Sequence, residues 1–104
     1  MQVYKPRPGI GQVLGVASMD VAARALAADL APIRANSIIL GPVQTTLLDG
    51  LTKGNQAVLD QLANGTLVKA VAGADEAAEA YLYSMRCAFV TGSKIDCEGG
   101  MLIC

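Results

Sequence analysis

The order of local patterns along the 104 residues predicts an α/β fold. Three observations carry it. Apolar residues recur at steps of three and four through the first third of the chain, as on one face of a helix. A short β-prone run follows and stops at Gly41-Pro42. A second, alternating run comes much later, after further helical segments, and stops at Gly99-Gly100. Strands separated by helices join as a parallel pair through a helical crossover.

Residues 1–11 carry Pro6, Pro8, Gly9 and Gly11 and read as an irregular leading loop. From Gln12 to Leu30 the pattern is helical. Met19, Ala22, Leu26 and Leu30 share a stripe, and Asp20 with Arg24 forms a favourable i,i+4 pair. Pro32 ends that helix, because the residue before a proline is pushed out of the α region. Arg34–Leu40 is the first strand. Asn55–Leu62 is a short helix stopped by Asn64-Gly65. A second long helix starts at Asp75-Glu76, whose charges suit a helix N-terminus, and ends at Arg86, which suits the other end. Its expected buried stripe is Ala78, Tyr81, Leu82 and Met85. Ser93–Cys97 is the last strand. No linker or repeat divides the chain, so residues 1–104 are expected to form one domain.

Composition narrows the function classes. Hydrophobic residues make up 53% of the chain and charged ones 16%, so some apolar surface is expected to meet another chain. The net charge of −1, with no run of Lys or Arg, gives no reason to expect a nucleic acid. Charged residues interrupt every apolar stretch, so no membrane span is expected. With no signal-peptide pattern, Cys87, Cys97 and Cys104 read as reduced, packed thiols of a cytoplasmic protein, and no metal site is expected of them. There is no histidine, which excludes Ser-His-Asp and Cys-His nucleophile systems.

The stretch Gly9-Ile10-Gly11-Gln12-Val13-Leu14-Gly15 raises the question of a phosphate-cradling loop. Its spacing is one residue too long for that motif. Two prolines precede it where a central strand is needed, and the next strand ends in Leu40-Gly41 where a carboxylate is needed. A glycine-rich turn is the better expectation.

Arg24–Thr45, "RALAADLAPIRANSIILGPVQT", resembles the C-terminal half of the short-chain dehydrogenase/reductase family. There a long helix ends in L-A-P-I-R-V-N, a strand follows, and P-G-x-x-x-T closes over the nicotinamide. Thr91–Gly100, "TGSKIDCEGG", is similar to the family's T-G-x-x-x-x-x-x-G-G ending. The "GADEAAEAYLYSM" helix lies between them, where the family has its P-E-E-V-A helix. The phrasing is most similar to fungal members, many of which serve secondary-metabolite pathways.

The resemblance implies a partial Rossmann-like fold: a long helix, a parallel strand, two or three helices and a last parallel strand. The family's N-terminal dinucleotide-binding half is expected to be absent from this chain. The implied cofactor is NAD(P), the implied substrate a small alcohol or ketone. Gly41, Pro42, Val43 and Thr45 would form the lip over the nicotinamide, with Leu40 in place of the family's proline. The plainer alternative makes Gly41-Pro42 a strand-ending turn and Thr45 a helix cap.

Counting back from Arg24 puts the family's catalytic tyrosine at Gln12 and its lysine at Val16. A phenol has a pKa near ~10 and needs a neighbouring ammonium group to act as an acid or base at neutral pH. Glutamine and valine supply neither, and no catalytic residue is expected. Two functions stay open: a shortened NAD(P)-dependent oxidoreductase, or a non-catalytic module. In the second case the chain would pair through the Gln12–Leu30 helix, as a homo-oligomer or with a partner chain.

Overall fold

The structure, a computed structural model, describes residues 10–103; the side chains at positions 10–13 and 16 fall outside that description. The described elements run α1 (Ile10–Asp29), β1 (Ser37–Leu40), α2 (Thr46–Thr52), α3 (Gln56–Asn64), α4 (Ala74–Arg86) and β2 (Lys94–Cys97). The strands pair in parallel, with Ser37 opposite Lys94 and Leu40 opposite Cys97. The expected α/β class and crossover are therefore present, and the helices between the strands number three among the described residues.

The glycine-rich turn is not what forms from Ile10 onward. Gly11 and Gly15 lie inside α1. A helical glycine costs about 1 kcal/mol relative to alanine. The long run rich in Ala, Leu and Val, free of proline until Pro32, absorbs that cost by cooperative propagation. Gly9 and both early prolines lie outside the described residues. The expected pair Arg24–Asp20 is present, with Nε 3.8 Å from Oδ1.

The first strand is shorter than expected. Arg34, Ala35 and Asn36 stay out of the ladder because the two polar side chains are engaged elsewhere. The Arg34 guanidinium donates to the carbonyls of Ser84, Met85, Cys87 and Val90 at 2.5–3.1 Å. The last carbonyls of a helix have no intrahelical partner and carry a partial negative charge, so a cation there both bonds and neutralises them. Asn36 Nδ2 donates to Ser84 Oγ and to the Val90 carbonyl, while its Oδ1 accepts from the Ser93 N–H at 3.1 Å. These two residues fix the end of α4 and the start of both strands.

α4 begins where Glu76 Oε2 accepts from the Gly73 N–H at 2.8 Å, as the acidic start suggests. Its buried face differs from the expected stripe. Ala77 and Ala80 are buried, whereas Ala78 and Tyr81 are exposed, Met85 is 70% exposed and Leu82 is half-buried. The small residues let the helix approach the strand backbones closely; the large ones sit to the side. α1 behaves in the same way. Ala23 is buried, while Met19, Leu26 and Leu30 of the expected stripe are exposed.

The helix stop at Asn64-Gly65 is present, but Gly65 has φ −73°, so the helix ends without a left-handed residue. Among the described residues the buried apolar side chains are those of Ala23, Ala77 and Ala80. Large apolar side chains stay in solvent, Phe89 almost completely. Cys87 and Cys97 are free thiols and half-buried rather than packed; Cys104 lies outside the described residues. No described helix is long and apolar enough to cross a membrane.

Candidate functional site

Parallel strands release the chain at the same edge of the sheet. Gly41–Thr45 therefore follows β1 beside Glu98–Gly100, which follows β2. Open parallel sheets bind ligands outside these carboxyl ends.

Gly41 is fixed by its surroundings. Its N–H donates to the Cys97 carbonyl at 3.0 Å. A Cβ there would lie 2.8 Å from both the Cα and the carbonyl oxygen of Glu98, which is backbone and has no easy way to yield. The next residues pair with the segment before α4. The Ala72 N–H donates to the Pro42 carbonyl at 3.0 Å, and the Gln44 N–H donates to the Ala72 carbonyl at 2.8 Å. In this parallel bridge Val43 turns its own N–H and C=O to the side away from Ala72. One donor and one acceptor are thus left side by side at the carboxyl edge.

Thr45 caps α2, its Oγ1 accepting from the Leu48 N–H at 3.3 Å. The cap uses an oxygen lone pair and leaves the hydroxyl hydrogen available as a donor. The cap and the cofactor contact are therefore compatible roles for one side chain. Gln44 Nε2 donates to Asp49 and steadies the same turn.

A second clamp holds the far side. Thr66, 1% exposed, donates to the Ala63 carbonyl at 2.8 Å and accepts from the Ala70 N–H at 3.2 Å. The Gly99 carbonyl accepts from the N–H groups of Leu67 and Val68 at 2.7 and 3.2 Å. Gly99 and Gly100 have φ +64° and +79°, so the expected tight bend is present. The cavity between these segments, about 350 Å³, has Gly41, Pro42, Thr66 and Gly99 in its wall, together with Glu76, Asp96 and Glu98. No Lys or Arg lines it. Such a wall repels a phosphate and suits a neutral or cationic group.

The structure brings Gly41, Pro42, Val43 and Thr45 together on this edge. Gln12 and Val16 fall on the early turns of α1, their side chains outside the described residues. Sequence reasoning missed Arg34, Asn36, Thr66 and Ala72, which hold the edge in place. A polar pair just ahead of an apolar strand was the available signal for the first two. The others act through backbone geometry or an inconspicuous hydroxyl and leave no such trace.

A parallel α/β sheet with a glycine-fitted, hydrogen-bonded carboxyl edge defines the nucleotide-binding class of α/β proteins, here in part. The comparisons make this more specific. Residues 16–102 match the enoyl-(acyl carrier protein) reductase family pattern. The short-chain dehydrogenase/reductase ATR9 of Stachybotrys chlorohalonatus is 34% identical over 88 residues, covering 85% of this chain and 35% of that protein. The short-chain dehydrogenase/reductase ucsE of an Acremonium species is 41% identical over 88 residues, covering 84% and 33%.

Among solved structures, the MalC reductase/Diels-Alderase of Malbranchea aurantiaca superposes with a TM-score of 0.83 at 31% identity, covering 95% of this chain and 39% of that one. A small-chain dehydrogenase in complex with NADPH gives a TM-score of 0.76 at 31% identity, covering 85% and 41%. The chain belongs to the short-chain dehydrogenase/reductase family. It spans little more than a third of the length of the curated relatives it matches.

Proposed function

We propose that this chain supplies the nicotinamide-facing lip of an NAD(P)-dependent oxidoreductase site that acts on a small alcohol or ketone. Fungal secondary metabolism is the setting that the relatives suggest. The observation that carries the proposal is the paired N–H and C=O of Val43, turned away from Ala72 at the carboxyl edge. A nicotinamide carboxamide offers one acceptor and one donor and complements that pair. Thr45 Oγ1, held one helical cap away, adds a second donor. The carboxylate-lined cavity beside the lip fits the nicotinamide end of the cofactor and not its phosphates.

The chain by itself lacks the proton relay, because Gln12 and Val16 stand where the family has tyrosine and lysine. Without an acid of suitable pKa at the carbonyl oxygen, hydride delivery leaves an unprotonated alkoxide, and reduction stalls. The expectation is cofactor contact without turnover. Saturation-transfer NMR with NADPH and the purified chain tests it. The nicotinamide ring protons should receive saturation and the adenine protons should not. Val43→Pro, which removes the N–H, and Thr45→Val should each weaken the signal. Saturation confined to adenine, or steady turnover of NADPH with a ketone by the chain alone, overturns the proposal.

A second function, an interaction module built around α1, is favoured by the exposure of Met19, Leu26 and Leu30. Those side chains would be covered by another subunit, whether a second copy or a different chain, and the protein would act in the cytoplasm as part of that assembly.

A further inference from the structure

A groove of about 820 Å³ opens between α1, β1 and α4, with Met19, Leu26, Ile38, Tyr81 and Met85 in its wall. Beside it runs the edge of β1 that does not face β2. The N–H groups of Ser37 and Gly41 donate to Ser93 and Cys97 across the ladder, so the intervening alternation turns the N–H and C=O of Ile38 and Leu40 outward. The two-stranded sheet gives them no backbone partner among the described residues.

The two outer edges of the sheet differ. On β2 the outward residues are Lys94 and Asp96, whose charges lie 3.4 Å apart, and edge charges of this kind discourage pairing. On β1 the outward residues are an isoleucine and a leucine with no charge in the strand. Two unguarded edges would suggest a generic weakness; one guarded and one open suggest an occupant for the open one.

α1 indicates what that occupant is. A long helix packed against β1 and leading into it has the geometry of the second half of a β–α–β unit, in which the first strand lies parallel to the second on the open side. That first strand is missing from the described residues. In MalC the matched arrangement accounts for 39% of the chain, so most of that protein folds against surfaces that are bare here.

We propose that the β1 edge and the adjoining groove are the docking surface for a separate polypeptide equivalent to the part of the relatives that precedes the match. That polypeptide adds a parallel, β-branched, uncharged strand along Ile38 and Leu40 and covers Met19, Leu26 and Met85. The proposal rests on family membership and not on the cofactor lip, so the NADPH experiment can fail while this one succeeds.

The probe is a tagged polypeptide comprising the stretch of MalC that precedes the matched segment. Mixed with the full chain, it should co-elute as a one-to-one complex on gel filtration. In hydrogen exchange the Ile38 and Leu40 amides should slow by about tenfold or more, with Lys94 and Asp96 unchanged. Ile38→Pro should abolish co-elution and Asp96→Pro should preserve it, since each removes an outward N–H and leaves the β1–β2 ladder intact. The exchange data on the unmutated chain decide the matter if either proline variant fails to fold. Absence of a complex, protection at Lys94 and Asp96 instead, or concentration-dependent protection of Ile38 in the chain alone, which would mean a second copy, overturns the proposal.

Discussion

The carboxyl edge of the sheet and the groove between α1, β1 and α4 are built from the same short chain and are finished to very different degrees. At the edge, glycines fit backbones that approach to within a few ångströms, and Thr66, Ala72 and Arg34 satisfy groups that would otherwise be orphaned. In the groove, methionine, leucine and tyrosine side chains lie open, and the buried apolar residues of the described chain are three alanines. Polar satisfaction is local, requiring only that a donor find an acceptor nearby. Apolar burial is collective, and fully burying one large side chain contributes about 1.5–3 kcal/mol only when neighbours surround it. The edge can therefore be complete in a piece of a fold whose core is not.

The largest effect should come from attacking the finished region. Gly100→Ala places a Cβ 2.7–2.8 Å from Leu67 side-chain atoms at φ +79°, whereas Gly54→Ala has φ +69° with nothing within 4 Å. Both variants pay the left-handed strain of roughly 1–2 kcal/mol, and only the first also collides. In urea titrations followed by circular dichroism, Gly100→Ala should lower stability by about 3 kcal/mol or more and Gly54→Ala by about 1. Equal losses would show that the bend after β2 is not held against Leu67 as described.

Next in size is Arg34. Four carbonyls around the end of α4 depend on one guanidinium. Arg34→Ala should lose about 2–3 kcal/mol, the scale for hydrogen bonds to a charged group. Arg34→Lys should recover less than half of that, because an ammonium is a point charge and cannot span the same acceptors. Full rescue by lysine would reduce the clamp to a helix-dipole effect.

How far the sequence discloses this structure follows the same division. The class, the parallel pair and the helix between Asp75 and Arg86 were legible, because periodicity and terminal charges report local structure. Thr45 as a cap and Gly99-Gly100 as a bend were legible for the same reason. The faces were not. The large residues of α4 and α1 define a stripe at helical spacing, yet Ala77, Ala80 and Ala23 meet the strands. Periodicity gives the pitch of a helix and not the phase at which it docks; here close approach to backbone selects the small side. The lip residues were legible only through resemblance, and their anchoring to Ala72 and Cys97 lies in backbone pairings that no residue type announces.

The smallest effect tests the unfinished region. Gly15 lies in α1 and lines the groove, with nothing within 4 Å of a built Cβ. Gly15→Ala should therefore stabilise the chain by about 0.5–1 kcal/mol through helix propensity alone, read as a raised urea midpoint. The sign is informative because a complete core would reverse it: in a filled groove an added methyl group overpacks, and such insertions cost about 1–3 kcal/mol. The same substitution measured with a polypeptide bound along β1 should then lose its benefit or turn destabilising. A gain that persists unchanged in the complex would mean that the occupant does not reach α1 at Gly15, and that the groove stays open even in the assembly.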